Sequence, residues 1–239
     1  MIVTGSVPAL EAYWQDLERH LPRFLPEEQR VAVALYHELA KGLAVDAAQL
    51  GRALGISLEE CQALLRRASI NDFIYPDDQG RVLGFGGLAA APMHHQFEVD
   101  NCTLSTWCAW DSLFIPEILG RPARITSPDP ETGELVRLVV TADGIESAEP
   151  PDAVVSFVRP DSEVFGTSAA NVMAKFCHFI FFFSSRLSGE SWVAKHPGTF
   201  LYSLDEAFVL AKRLNARNFG PELARRASST AACDNPTSP

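Results

Sequence analysis

The sequence lacks the features that most quickly assign a chain to a class. Its five cysteines are an odd number, spread through 239 residues without a CxxC pair. That pattern excludes a disulfide framework and a zinc ribbon. There is no HExxH helix, no nucleotide-binding glycine motif and no Ser, His and Asp in hydrolase order. No run of about 18 apolar residues exists, so a membrane-spanning helix is not expected. The first residues carry neither the basic nor the apolar stretch of a secretory signal, which leaves a reducing cytoplasm as the expected compartment. Positive charge is scarce: 20 Lys and Arg against 30 Asp and Glu give a net charge of -10. That balance opposes binding to a nucleic-acid backbone or an anionic membrane.

What is present is ordinary globular composition, 47% apolar and 21% charged, on a chain long enough for one large domain or two unequal ones. Residues 26–43 place Val31, Ala34, Leu35 and Leu39 at helical spacing. Asp46 can cap a helix over 47–54, and Gly55 supplies a turn. Ser57 and Glu60 form a capping box for a helix over 58–68. Two short strands, 73–75 and 82–85, flank a tight Pro-Asp-Asp-Gln-Gly loop. Helix, turn, helix and hairpin make a winged-helix pattern, whose usual partner is DNA. Charge argues against that use. Residues 1–100 hold 8 basic and 14 acidic side chains, and the second helix of the pair opens with Glu59 and Glu60 where base-reading residues would stand. Gly84-Phe-Gly-Gly87 lacks the Lys of a phosphate loop and reads as wing and linker.

Beyond residue 95 the pattern changes. Gln96-Phe-Glu-Val alternates like a strand, an Asp100-Asn101 turn follows, and 104–119 reads as a segment that begins helical and ends near Gly120. Strands are expected over 123–126, 135–141, 153–158 and 178–183, and helices over 191–196 and 204–215. Residues 221–239, rich in Ser, Ala, Thr and Pro, read as a mobile tail.

Chemistry concentrates at Trp107-Cys-Ala-Trp-Asp111. On a helix Cys108 and Asp111 share one face, so a thiol and a carboxyl can act on one bound atom. The flanking tryptophans would dry the carboxyl and favour its protonated, proton-donating form. Taken alone, Cys108 also fits a small core residue and Asp111 a cap. A second thiol, Cys177, precedes an apolar stretch of the same half of the chain. Two thiolates without further ligands suit a soft ion that accepts two-coordinate sulfur.

At these residues the chain resembles the organomercurial (alkylmercury) lyases, the MerB family. The resemblance is carried by Phe97-Glu-Val-Asp, by Trp107-Cys-Ala-Trp-Asp-Ser-Leu-Phe-Ile-Pro116 with Leu119-Gly-Arg121, by Phe176-Cys177 with Phe182-Phe183, and by Ser191-Trp-Val-Ala-Lys-His196 with Asp205-Glu-Ala-Phe208. It spans most of residues 27–219. It implies protonolysis of the carbon–mercury bond of R–Hg–X to a hydrocarbon and Hg(II), with Cys108, Asp111 and Cys177 as the catalytic set. Trp107 is implied to border the organic group, and Cys108 and Cys177 to hold the Hg(II) product. No organic cofactor is expected. Low-molecular-weight thiols or a mercuric reductase would accept the metal. Where some family members carry extra cysteines, this chain has Asp129 and His178. Cys61 and Cys102 read as structural, Cys233 as an incidental tail residue, and His178 as a hydrogen-bonded side chain at the mouth of a strand.

The expected architecture is α+β. A winged-helix-like part (1–92) packs on a mixed-sheet catalytic part with flanking helices (93–220), followed by the tail. The alternative from another class is a thiol-based metal-sensing winged-helix regulator. Asp111 separates the two readings, because a sensor needs thiols and has no use for a proton donor.

Overall fold

Caps and turns organise the first third of the chain. A computed structural model describes residues 7–160 and 164–233, with side chains described through 227. Five helices come first: α1 (Leu10–His20), α2 (Pro26–Leu39), α3 (Ala47–Leu54), α4 (Leu58–Leu65) and the single turn α5 (Ala68–Asn71). Asp46 accepts the Gln49 N–H at 2.7 Å to start α3. Gly55 ends it in the left-handed region at φ 70°, where a residue without Cβ has no steric penalty. Ser57 Oγ accepts the Glu60 N–H at 3.1 Å to start α4. The hairpin follows as β1 (Ile74–Pro76) and β2 (Val82–Phe85).

A short strand, β3 (Leu88–Ala89), then joins this part to the rest. The remaining elements are β4 (His95–Val99), β5 (Cys102–Thr106), α6 (Asp111–Leu119), β6 (Ala123–Pro128), β7 (Leu135–Val140), β8 (Ile145–Glu149), β9 (Val154–Val158), α7 (Ala169–Lys175), β10 (Phe182–Phe183), α8 (Arg186–Lys195), β11 (Thr199–Ser203), α9 (Leu204–Asn218) and α10 (Gly220–Cys233). Eight strands form one sheet in the order β1-β2-β3-β5-β4-β6-β7-β8, and β10-β9-β11 form a second. Because β3 pairs with β5 through Leu88 and Thr106, the large sheet runs across the expected boundary at residue 92. The α+β class is as expected.

Four sequence expectations need correction. The sheet was expected to be mixed, yet every described pairing is antiparallel. Five of the nine described pairings join successive strands through turns such as Asp100-Asn101, both at positive φ, which are too short for the crossover a parallel pair needs. The helix expected from residue 104 starts only at Asp111, because Leu104, Ser105 and Thr106 are taken up in the ladders of β4 and β3. The strand expected over 178–183 is a 3-10 turn at Cys177–Phe179 followed by a two-residue strand. Ser156 Oγ holds the junction by donating to Phe179 O at 2.8 Å and accepting from Phe181 N at 3.0 Å. Finally, 220–233 is helical where a loose tail was expected. Pro221 sits in its first turn, and the nearly buried Glu222 pairs with Arg225 and Arg226. The end of that tail, 234–239, lies outside the described residues, as does the side chain of Cys233.

The main core joins α2, α6 and α9 to the large sheet. Trp110 Nε1 donates to Ala207 O at 3.2 Å and Asn215 Nδ2 to Phe114 O at 2.8 Å, which fixes α9 against α6. Among the described residues no helix is long and apolar enough to cross a membrane.

Candidate active site

The bend between β5 and α6 is built to hold Cys108. Thr106 Oγ1 donates to Cys108 O at 2.9 Å, and the Cys108 N–H donates to Asp111 Oδ2 at 2.8 Å. Asp111 is the first residue of α6, so its carboxylate turns back to satisfy a backbone donor just before the helix. The two residues therefore meet across a bend, not on one helical face as the spacing suggested.

Cys177 reaches the same point through the chain that follows it. Ile180 N donates to Cys177 O at 3.0 Å, closing the 3-10 turn, while Ala109 N donates to Ile180 O at 3.1 Å. That second bond stitches the two cysteine-bearing segments together. As a result Cys108, Asp111 and Cys177 each present a ligating atom within 4.8 Å of the others. All three are buried, at 0%, 7% and 3% exposure, and both cysteines are free.

Burial sets the protonation of the group. Desolvation pushes the Asp111 carboxyl up to about 7, against the Cys108 hydrogen bonds that pull it down. Desolvation, with the Cys177 thiol and Asp111 nearby, also pushes Cys108 well above the usual thiol range. The hydrogen bond to Cys108 holds Cys177 down, but burial and Asp111 outweigh it, so Cys177 is raised too. The resting cluster thus keeps its thiol protons, next to a carboxyl that titrates near neutrality and can take up or give a proton.

A cavity of about 70 Å³ adjoins the cluster, more than a single water needs. Its walls are aromatic, including Trp107, Trp110, Phe114 and Phe176, and they also contain Asp111 and Cys177 but not Cys108. Trp107 is 5% exposed, and its indole N–H has no hydrogen-bond partner among the described residues.

The other singled-out residues lie elsewhere. Cys61 is buried on α4, and Cys102 is half-buried at the start of β5. His178 is exposed on the 3-10 turn and outside the cluster. Asp129 is a structural hub, accepting from Ser184 N, Ser184 Oγ, Ser188 Oγ and Glu131 N. Sequence reasoning missed the contribution of the N-terminal part: Tyr36, Phe85, Gly86 and Gly87 all line the cavity. The paired glycines were the available signal, and nothing in the linear pattern tied them to Asp111.

The alkylmercury lyase family model matches residues 88–216. An alkylmercury lyase of Staphylococcus epidermidis is 38% identical over 75% of this chain and 78% of its own length. That of Streptomyces lividans is 39% identical over 74% and 77%, and that of Pseudomonas putida 34% over 77% and 83%. Among solved structures, the mercury-bound form of MerB2 superposes with a TM-score of 0.66 over 86% of this chain and 96% of that one, at 24% identity.

Proposed function

The chain belongs to the alkylmercury lyase family, and we propose that it cleaves the carbon–mercury bond of organomercurials at Cys108, Asp111 and Cys177. One observation carries the assignment of the site: two thiols and a carboxyl that titrates near neutrality converge at an apolar cavity.

The chemistry follows from the residue types. Thiolate sulfur binds a soft metal far better than oxygen does. One thiol displaces X from R–Hg–X, forming a sulfur–mercury bond and releasing X as its anion and a proton. The second thiol then adds to mercury, and its proton passes to Asp111. Electron density from two sulfurs makes the attached carbon basic, and Asp111 returns the proton to it as the carbon–mercury bond breaks. The products are RH and Hg(II) on two thiolates. In balance, R–Hg–X and two thiols give RH, a proton, X anion and one bis-thiolate mercury. Trp107 packs beside the organic group. The dry, aromatic walls keep water from competing as proton donor and acceptor. Low-molecular-weight thiols or a mercuric reductase then draw Hg(II) off by exchange.

The sensor alternative gains no support from the N-terminal part, whose α4 presents exposed Glu59 and Glu60 at its start. The test is direct. Purified protein given methylmercury and excess thiol should release methane, and a yield no higher than thiol alone would overturn the assignment.

A further inference from the structure

The turn joining β2 to β3 consists of two glycines at positive φ, 50° at Gly86 and 99° at Gly87. L side chains are strained there, and neither position has room for one. A Cβ on Gly87 would sit closer than 3.0 Å to the Asp111 carboxyl carbon, and one on Gly86 closer than 3.0 Å to the Tyr36 hydroxyl. Three hydrogen bonds clamp this turn. Gly86 N donates to Phe73 O at 3.1 Å, Trp107 N donates to Gly87 O at 2.8 Å, and Tyr36 Oη donates to Gly86 O at 2.7 Å. Tyr36 is 2% exposed, stands on α2 and shares the cavity with both glycines, Asp111 and Cys177.

We propose that Tyr36 and the Gly86-Gly87 turn position the proton carrier, the turn backing the Asp111 carboxyl so that it faces the thiols. The inference rests on Asp111 being that carrier. Asp111 Oδ2 is pinned by the Cys108 N–H, which leaves rotation of the carboxyl about that contact as its remaining freedom. Gly87 takes up the space on the Oδ1 side, where its missing Cβ permits backbone contact that a side chain would forbid. Tyr36 keeps the turn there by occupying the Gly86 carbonyl. On this account the N-terminal part supplies one wall of the site and the stop against which the carboxyl rests.

The test compares Gly87→Ala, Tyr36→Phe and Asp111→Asn in methane release from methylmercury and in retention of inorganic Hg(II) after gel filtration. Gly87→Ala should lower kcat about 100-fold, the cost of displacing a reacting group by about an ångström, and retain Hg(II) at the parental stoichiometry. Tyr36→Phe should lower kcat about 10-fold with KM within about 2-fold. Added to Asp111→Asn, it should change the residual rate by less than about 2-fold, because it acts only through the carboxyl. Parental kcat in Tyr36→Phe, or matched losses of rate and Hg(II) retention, overturns the proposal. So does an equal loss of rate with and without Asp111. If Gly87→Ala does not fold, Tyr36→Phe decides alone. Parental turnover in Asp111→Asn would instead remove the proton-carrier assignment, which separates the two failures.

Discussion

Asp111 accepts the backbone N–H of Cys108 at 2.8 Å, so the carboxyl and a fully buried thiol are locked into one bend. Asparagine at this position keeps a side-chain oxygen for the same N–H and loses the proton. Asp111→Asn should therefore retain Hg(II) on the two cysteines while methane release falls by about 100-fold or more, the usual contribution of a positioned general acid. Turnover measured beside Hg(II) stoichiometry separates the two effects.

Cys177 lines the cavity and Cys108 does not, although their side chains converge. An electrophile entering through the cavity meets Cys177 first. Limited alkylation with iodoacetamide, read by peptide mass, should label Cys177 ahead of Cys108, since access and thiolate fraction both govern the rate. Burial and its neighbours raise Cys108 well above the thiol range, whereas the Cys108 hydrogen bond partly offsets the rise at Cys177. Both factors favour the same order. Faster labelling of Cys108 would place the entrance on the other side of the cluster.

The helix starts at Asp46 and Ser57 were legible because a cap is a local hydrogen bond between residues three apart. The Asp100-Asn101 turn was legible for the same reason. Residues 104–106 were misread because helix and strand both bury Leu104, and only pairing with β4 and β3 decides between them. The proposed catalytic trio was nameable from its resemblance to a family, but its geometry was not. The hydrogen bond from Ala109 to Ile180, which brings Cys177 to Cys108, joins residues 71 apart in sequence and leaves no periodic trace. The Gly86-Gly87 contact with Asp111 is of the same kind: the glycines stand out, and their partner does not.

Two tryptophans three residues apart should respond differently to loss of the indole N–H. Trp110 Nε1 donates to Ala207 O, whereas Trp107 Nε1 is buried without a partner among the described residues. Trp110→Phe loses a buried hydrogen bond as well as packing, which costs about 0.5–1.5 kcal/mol beyond the packing loss. Trp107→Phe removes an unsatisfied donor, a gain that offsets part of its own packing loss. Urea unfolding should rank Trp110→Phe as the less stable variant, and the reverse order would show that the Trp107 N–H has a partner in solution.

Stability should depend on pH through Asp111 in a direction opposite to most carboxylates. Its folded value, about 7, lies above the 3.8 of the exposed group because burial disfavours the charge. Between those values the folded state binds more protons than the unfolded one, so this residue's contribution is complete below pH 3.8 and is lost as pH rises through 7. His37 works the other way in part of that range. Burial lowers it from 6.5 to about 4, so its contribution is lost as pH falls through that window. Because His37 is common to parent and Asp111→Asn, it cancels in their difference. The stability of Asp111→Asn relative to the parent should therefore rise from pH 4 to pH 8, by up to about 4 kcal/mol for a pKa raised this far. Urea titrations of both proteins under reducing conditions measure it. A difference that stays flat with pH would mean that Asp111 ionises in the folded protein as readily as in water, and a carboxyl of that kind would be a poor base for the proton the second thiol gives up.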